Sequence, residues 1–324
     1  MSNIFDALLR SEGDQGENVR GDADGITDVL QRAERRAASK WKERPHAKRS
    51  GVPMALATDQ LPVDDIRESK PATVEIVRDT VPAFERFRKI SPVLPAENRI
   101  VGNLNIGDPA TEAFRLMAVR LRHIRKDRQL KRLLITSSLP EEGKSLISAN
   151  LACSIAASDE KILLIEGDVR RPSIRELFQL SHMPGLCEYL QDLNQLEECI
   201  YRLDQLGFCL LPAGRCTGNP LQLLQSPRLG EKLDQLSCLF DWIIIDSPPA
   251  LPLADTSILS RLCDGILLVT RRGTTQKQHL ERVLESLEQS KLLGAVINSS
   301  RKPGHDYYYY HGVGGGPDAT DTGV

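Results

Sequence analysis

Beyond about residue 100 the chain alternates between short, nearly unbroken apolar runs and longer stretches in which apolar residues return every three or four positions. The runs fall at 133–135, 162–165, 208–211, 240–246, 265–270 and 293–298. Each is too short for a helix. Apolar side chains at successive positions suit strands buried on both faces rather than strands wetted on one side. The periodic stretches predict helices over 109–126, 144–157, 173–180, 186–192, 227–239 and 276–289. Asp108-Pro109 starts the first of them well, with an aspartate to cap and a proline at the first helical position. Its apolar stripe is Phe114, Met117, Leu121 and Ile124, with Arg115, Arg122 and Arg125 largely off it. Strands alternating with helices predict an α/β fold, a mostly parallel sheet with helices on both faces. In such sheets ligands sit at the carboxyl ends of the strands.

The first hundred residues carry neither pattern. Gly, Asp, Glu, Pro and Arg dominate 12–95 and apolar periodicity is weak, a composition that buries too little apolar surface to fold. A short amphipathic helix is predicted at 3–11, where Ile4 stacks with Leu8 and Phe5 with Leu9. Between 31 and 50, Arg32, Arg35, Arg36, Lys40, Lys42, Arg44, Lys48 and Arg49 outnumber Glu34 and Glu43. That stretch is either a solvated linker or a patch for anionic lipid. Three regions are therefore expected: a largely disordered segment 1–95, a domain 96–300 and a flexible tail 301–324.

Composition narrows the function. The 324 residues allow one or two domains, and a net charge of −2 gives no footprint for nucleic acid. The 7 cysteines stand singly, without CxxC spacing, and read as reduced thiols of a cytoplasmic protein. No apolar run approaches the roughly 18 residues of a membrane span, and the N-terminus has no basic leader before a long apolar stretch. Work at a membrane would need something other than a membrane span to bring the chain there.

The candidate chemistry gathers where apolar runs end. The first run feeds a polar turn and then Gly143-Lys144-Ser145 at the start of a helix. Unpaired amides at a helix N-terminus, beside the positive end of its dipole, accept phosphate oxygens. A lysine there adds charge near the β and γ phosphates, and a serine hydroxyl ligates Mg²⁺. The candidate nucleotide-binding residues are Ser138, Leu139, Pro140, Glu141, Glu142, Gly143, Lys144, Ser145 and Leu146, with Asn298 at the end of the last run. The strict pattern opens with glycine where this loop has Ser138. The second run ends in Glu166-Gly167-Asp168, and the fourth in Asp246. Lys144, Glu166, Asp168 and Asp246 are the candidate catalytic residues; Ser145, Asp168 and Asp246 are the candidate metal ligands. An alternative for Glu166 and Asp168 is helix capping, or pairing with Arg170 and Arg171. Near the C-terminus, Tyr307, Tyr308, Tyr309 and Tyr310 stand together out of only 6 tyrosines in the chain, before a Gly-rich end. They read as exposed phosphate acceptors.

SSLPEEGKS, ILLIEGDVRRPS and DWIIIDSPP together resemble the Walker A, A′ and B motifs of the bacterial tyrosine kinases that regulate capsule and exopolysaccharide synthesis. LLPAGRCTGNPLQLLQSPRLGEKL is similar to the segment between A′ and B in that family, and the tyrosine-rich tail to its autophosphorylation cluster. The resemblance spans 97–312. It implies a P-loop NTPase fold of ParA/MinD-like type, ATP with Mg²⁺, and transfer of the γ-phosphate to tyrosines on a neighbouring subunit. It also implies a homo-oligomer, a cognate tyrosine phosphatase and a separate membrane-anchored activator of the chain-length-regulator type, which would hold the chain at the inner membrane. Three departures stand out. Glu166 occupies a place the family gives to aspartate. Glu112 and Arg115 match an E-x-x-R-x-x-R oligomerisation helix, but its third position is Ala118, leaving Arg120 or Arg122 to substitute. Residues 1–95 have no counterpart.

Two other functions compete: a ParA/MinD-like positioning ATPase, and a nucleotide-binding scaffold of polysaccharide export with little activity. The ATPases carry a second lysine where this loop has Leu139. Its absence and the tyrosine tail favour the kinase.

Overall fold

All six apolar runs form strands, because a strand covered on both faces needs apolar side chains at every position. The computed structural model describes residues 28–33, 35–36, 83–101, 108–251 and 254–298. The expected helix at 3–11, most of the basic stretch 31–50 and the tyrosines Tyr307–Tyr310 lie outside the described residues. The strands are β1 (Arg88–Ile90), β2 (Arg132–Ser137), β3 (Ile162–Glu166), β4 (Tyr201–Leu203), β5 (Phe208–Leu211), β6 (Trp242–Asp246), β7 (Gly265–Arg271) and β8 (Leu292–Asn298). They form one sheet in the order β1-β4-β5-β3-β6-β2-β7-β8. Every pairing is parallel except β4 with β5.

The helices are α1 (Pro109–Asp127), α2 (Lys144–Ala156), α3 (Ile174–Leu177), α4 (Leu186–Leu190), α5 (Leu196–Cys199), α6 (Pro220–Leu224), α7 (Pro227–Leu239), α8 (Asp255–Arg261) and α9 (Lys277–Ser286). The sheet divides the core in two, as the alternation of side chains along a strand requires. Leu133 and Ile135 of β2 join Ile162 and Leu164 of β3 and Trp242 and Ile244 of β6 on the face covered by α1 and α2. Leu134, Leu163, Ile165, Ile243 and Ile245 point to the other face, where α7 and α9 contribute Leu229, Leu233, Leu280 and Val283.

Helix α1 starts as its sequence predicts. Asp108 Oδ1 accepts from the Ala110 amide at 2.8 Å, and Pro109 occupies the first turn. Phe114, Met117 and Leu121 are buried. Ala118 is only 1% exposed, so an arginine at this position would have to enter the core. Arg122 is already committed to Glu160 at 2.6 Å, and Arg115 to Glu112 at 2.6 Å. Arg125 lies 4.9 Å over the ring of the fully buried Trp242, whose indole N–H donates to Glu160 at 2.9 Å. Arg122 and Arg125 thus fasten α1 to Glu160 and the sheet, while Arg115 stays within the helix.

Several elements escape the pattern. β1 lies within the stretch 1–95, yet pairs in parallel with β4, so the sheet begins upstream of residue 96. Two of its three residues are exposed, and it carries no apolar run. In β4 only Tyr201 and Leu203 are buried, with Arg202 between them. Residues 28–33 are helical, and Val29 and Leu30 sink into the same cluster as Phe87 and Phe240. Two apolar neighbours are too few to register as periodicity. The helix expected over 173–180 is confined to α3, and α5, α6 and α8 are each shorter than two and a half turns.

Candidate active site

Register brings the ends of three strands together. Asp246 pairs with Ile135 of β2 on one side and with Glu166 of β3 on the other. The loop after β2 and the start of α2 therefore lie beside both acidic strand ends, where ligands bind in such sheets.

The loop is braced from three directions. Glu142 is fully buried, and its Oε2 accepts from the amides of Ser138 at 2.7 Å and Leu139 at 3.0 Å. Its Oε1 accepts from the Thr275 hydroxyl, beyond β7. Burial pushes the Glu142 carboxyl up from its ordinary value, against the hydrogen bonds from Thr275, Leu139 and Ser138. Asn298 Nδ2 donates to the Glu142 carbonyl at 3.0 Å, and Arg271 donates to that of Glu141 at 3.1 Å. Gly143 has φ +91°, a conformation that favours glycine, and a Cβ there would stand 2.1 Å from Asn298 Nδ2 and displace the side chain that braces the loop. Ser138, Leu139 and the Glu142 side chain are thus spent on the loop itself rather than turned toward a phosphate. The amides of Lys144, Ser145 and Leu146, in the first turn of α2, have no intrahelical partner and are the ones able to accept an anion.

Lys144, Ser145, Asp168 and Asp246 come together. Lys144 Nζ lies 2.9 Å from Asp168 Oδ2 and 4.0 Å from Asp246 Oδ2. Burial opposes the lysine's charge, but Asp246 and Asp168 outweigh it and raise its pKa. Ser145 Oγ donates to Asp246 Oδ2 at 2.6 Å, and Ser148, one turn along α2, donates to Oδ1 at 3.1 Å. Burial raises the Asp246 pKa, while the charge of Lys144 and the Ser145 hydroxyl oppose it. Asp168 Oδ1 accepts from the Arg171 amide at 3.1 Å, and its other oxygen faces Lys144.

Glu166 is placed differently from the catalytic role expected of it. Its Oε1 accepts from the amides of Ser173 and Ile174, both at 2.6 Å, and its Oε2 from that of Ala213 at 3.0 Å. Burial raises its pKa against those three bonds. Both oxygens are occupied by backbone donors, so the alternative reading of this acid, helix capping, is the one its geometry fits. Pairing with Arg170 is not seen: that side chain meets the buried Asp255 of α8, at 2.6 Å from Nε and 3.2 Å from Nη2.

Sequence reasoning passed over Ser148, Ser173, Thr275 and Asp255. Ser148 was findable, four residues after Lys144 on one helix face. The other three reach the site from elements whose position only the topology fixes.

The chain resembles known proteins along this region. Residues 142–295 match the AAA domain family. A tyrosine-protein kinase of Bacillus subtilis, YwqD, is 34% identical over 205 residues, covering 63% of this chain and 86% of the relative. The chain belongs to the bacterial tyrosine-protein kinase family. A second tyrosine-protein kinase, etk of Escherichia coli K12, is 32% identical over 208 residues; the match takes in 64% of this chain but 29% of that much longer relative. The solved kinase domain of Escherichia coli ETK superposes with a TM-score of 0.58 at 30% identity, over 67% of this chain and 82% of that one. The chain is thus a protein-tyrosine kinase with a P-loop domain. No helix among the described residues is long and apolar enough to cross a membrane.

Proposed function

We propose that the chain binds ATP at the loop and transfers the γ-phosphate to Tyr307, Tyr308, Tyr309 and Tyr310 of a neighbouring copy, in the control of capsule or exopolysaccharide synthesis and export. The observation that carries this reading is the convergence of Lys144, Ser145, Asp168 and Asp246 at the carboxyl ends of β2, β3 and β6. Phosphoryl transfer asks mainly for positioning and neutralised charge, which this cluster can supply.

The donor set suits Mg²⁺. Ser145 and Asp246 offer hard oxygens, Asp168 lies close by, and Mg²⁺ is usually held by one or two carboxylates together with substrate phosphates. Among the described residues there is no group of three or more His, Cys, Asp or Glu that could hold a metal alone. Metal affinity should therefore depend on bound nucleotide. When bound, the cation would neutralise phosphate charge. Lys144 would exchange Asp168 for the phosphates, which frees Asp168 to accept the tyrosine proton as general base. Pro140 and Glu141 shape the loop, Gly143 opens α2, and Leu146 adds an amide to the anion site. Asn298 holds the loop from β8.

The partners this reading implies are a second copy of the chain, a separate membrane-anchored activator of the chain-length-regulator type and a tyrosine phosphatase. The chain would act in the cytoplasm, at the inner membrane through the activator. The test is direct. Purified full-length protein, incubated with ATP and the activator's cytoplasmic fragment, should gain phosphotyrosine with Mg²⁺ present and none with EDTA. Phosphate release without phosphotyrosine would instead favour an ATPase.

A further inference from the structure

Ser173 begins α3 but does not cap it. An N-cap serine ordinarily turns its hydroxyl to the amides of the first helical turn. Here the Ser173 side chain makes no such bond. The duty falls to Glu166, whose Oε1 takes the amides of Ser173 and Ile174 at 2.6 Å each. Its other oxygen is tied to the amide of Ala213, two residues beyond β5, so the acid, itself the last residue of β3, holds the start of α3 to the segment after β5. The Ser173 hydroxyl is released to the opposite side, where it donates to Ser145 Oγ at 2.8 Å. Ser145 in turn donates to Asp246 Oδ2 at 2.6 Å. An unbroken chain runs Ser173 to Ser145 to Asp246, with its first member fixed through the backbone by Glu166.

We propose that Ser173 is a positioning residue of the metal–nucleotide site, and that Glu166 acts through it: by capping α3, Glu166 presents the Ser173 hydroxyl to Ser145 and so holds the Ser145 hydroxyl at Asp246. This rests on the reading that Ser145 and Asp246 bind Mg²⁺ with the nucleotide. A serine hydroxyl free to rotate must be ordered when the cation arrives; one already bonded to Ser173 and Asp246 offers the cation, in a set direction, the lone pair that Lys144 Nζ now meets at 3.3 Å. Partners of this kind orient ligands, and their loss typically costs about 10–100-fold in metal affinity or activity. The arrangement also gives Glu166 a role that does not require it to touch substrate.

The experiment uses the full chain, Mn²⁺ as the probe cation and ADP as the nucleotide. Mn²⁺ affinity is read by electron paramagnetic resonance with ADP saturating, and metal-free ADP affinity by calorimetry in EDTA. Ser173→Ala should weaken Mn²⁺ binding by about tenfold, in line with the cost of losing an orienting partner, while metal-free ADP affinity changes far less. Ser173→Thr, which keeps the hydroxyl, should recover most of the loss. Glu166→Gln should weaken Mn²⁺ binding too, because its amide would face the Ala213 N–H donor to donor. In a Ser173→Ala background the same change should cost much less, since both act on one chain of contacts. Unchanged Mn²⁺ affinity in Ser173→Ala, equal loss of metal-free ADP affinity, or additive losses in the double variant would each overturn the proposal. Failure of the unaltered chain to bind Mn²⁺ with ADP would overturn the site itself, and this role with it.

Discussion

Lys144→Met is expected to lose phosphotyrosine formation by about 10²–10³-fold, the usual cost of removing one preorganised charge from a transferring group. Lys144 is the cation between two buried acids, 2.9 Å from Asp168 and 4.0 Å from Asp246. Methionine keeps much of the length but leaves those carboxylates facing each other without it. Two consequences follow. ATP binding should weaken, because the only full positive charge of the loop is gone. The empty domain should also lose stability, since a buried acid without its partner is costly. Part of that stability should return on mild acidification, because a proton can then stand in for the ammonium. The direction follows from linkage: burial already raises the Asp246 pKa, and without the opposing charge of Lys144 the native state holds that proton to higher pH than the unfolded chain does, so stability is gained as pH falls. Immunoblotting, nucleotide titration and thermal unfolding at two pH values read the three effects. Phosphotyrosine persisting at the unaltered rate would place the phosphate site elsewhere.

Asp168→Asn should separate chemistry from binding. In the nucleotide-free domain Asp168 holds Lys144, so incoming phosphate competes with an ion pair. Asparagine weakens that competition, and ATP should bind at least as tightly as before. Transfer should nevertheless fall by about 10²–10⁴-fold if Asp168 accepts the tyrosine proton, the usual worth of a general base. Titration gives the first quantity and a single-turnover assay the second. Parallel loss of both would make Asp168 a residue of the metal or of the loop rather than the base.

These residues were legible in the sequence for a physical reason. Strands buried on both faces leave short, unbroken apolar signatures, and a polar side chain that closes such a run falls where the sheet binds ligands. Lys144, Asp168 and Asp246 all stand at such places. The helix start at Asp108-Pro109 was readable because capping is local. What could not be read depends on contacts between distant segments. Glu166 looks like Asp168 in sequence, two acids closing one run. Only the fold brings it Ser173 and Ile174, 7 and 8 residues on, and Ala213, 47 residues on. The bond from Thr275 to Glu142 spans 133 residues, which is why Glu142 read as part of the phosphate site rather than as its brace. β1 and the helical residues 28–33 were missed because each buries too few side chains to mark the pattern, although both join the core of the domain.

Transfer from the loop, Asp168 and Asp246 of one copy to the tyrosines of another is checked by mixing two variants with ATP, Mg²⁺ and the activator fragment. One carries Lys144→Met and keeps its tail; the other has an intact loop and ends before Tyr307. Neither alone should gain phosphotyrosine in the tail. Together, they should place phosphate on Tyr307, Tyr308, Tyr309 and Tyr310 of the Lys144→Met chain, located by mass spectrometry. An unlabelled tail in the mixture, under conditions in which the unaltered chain labels its own, would contradict transfer between copies.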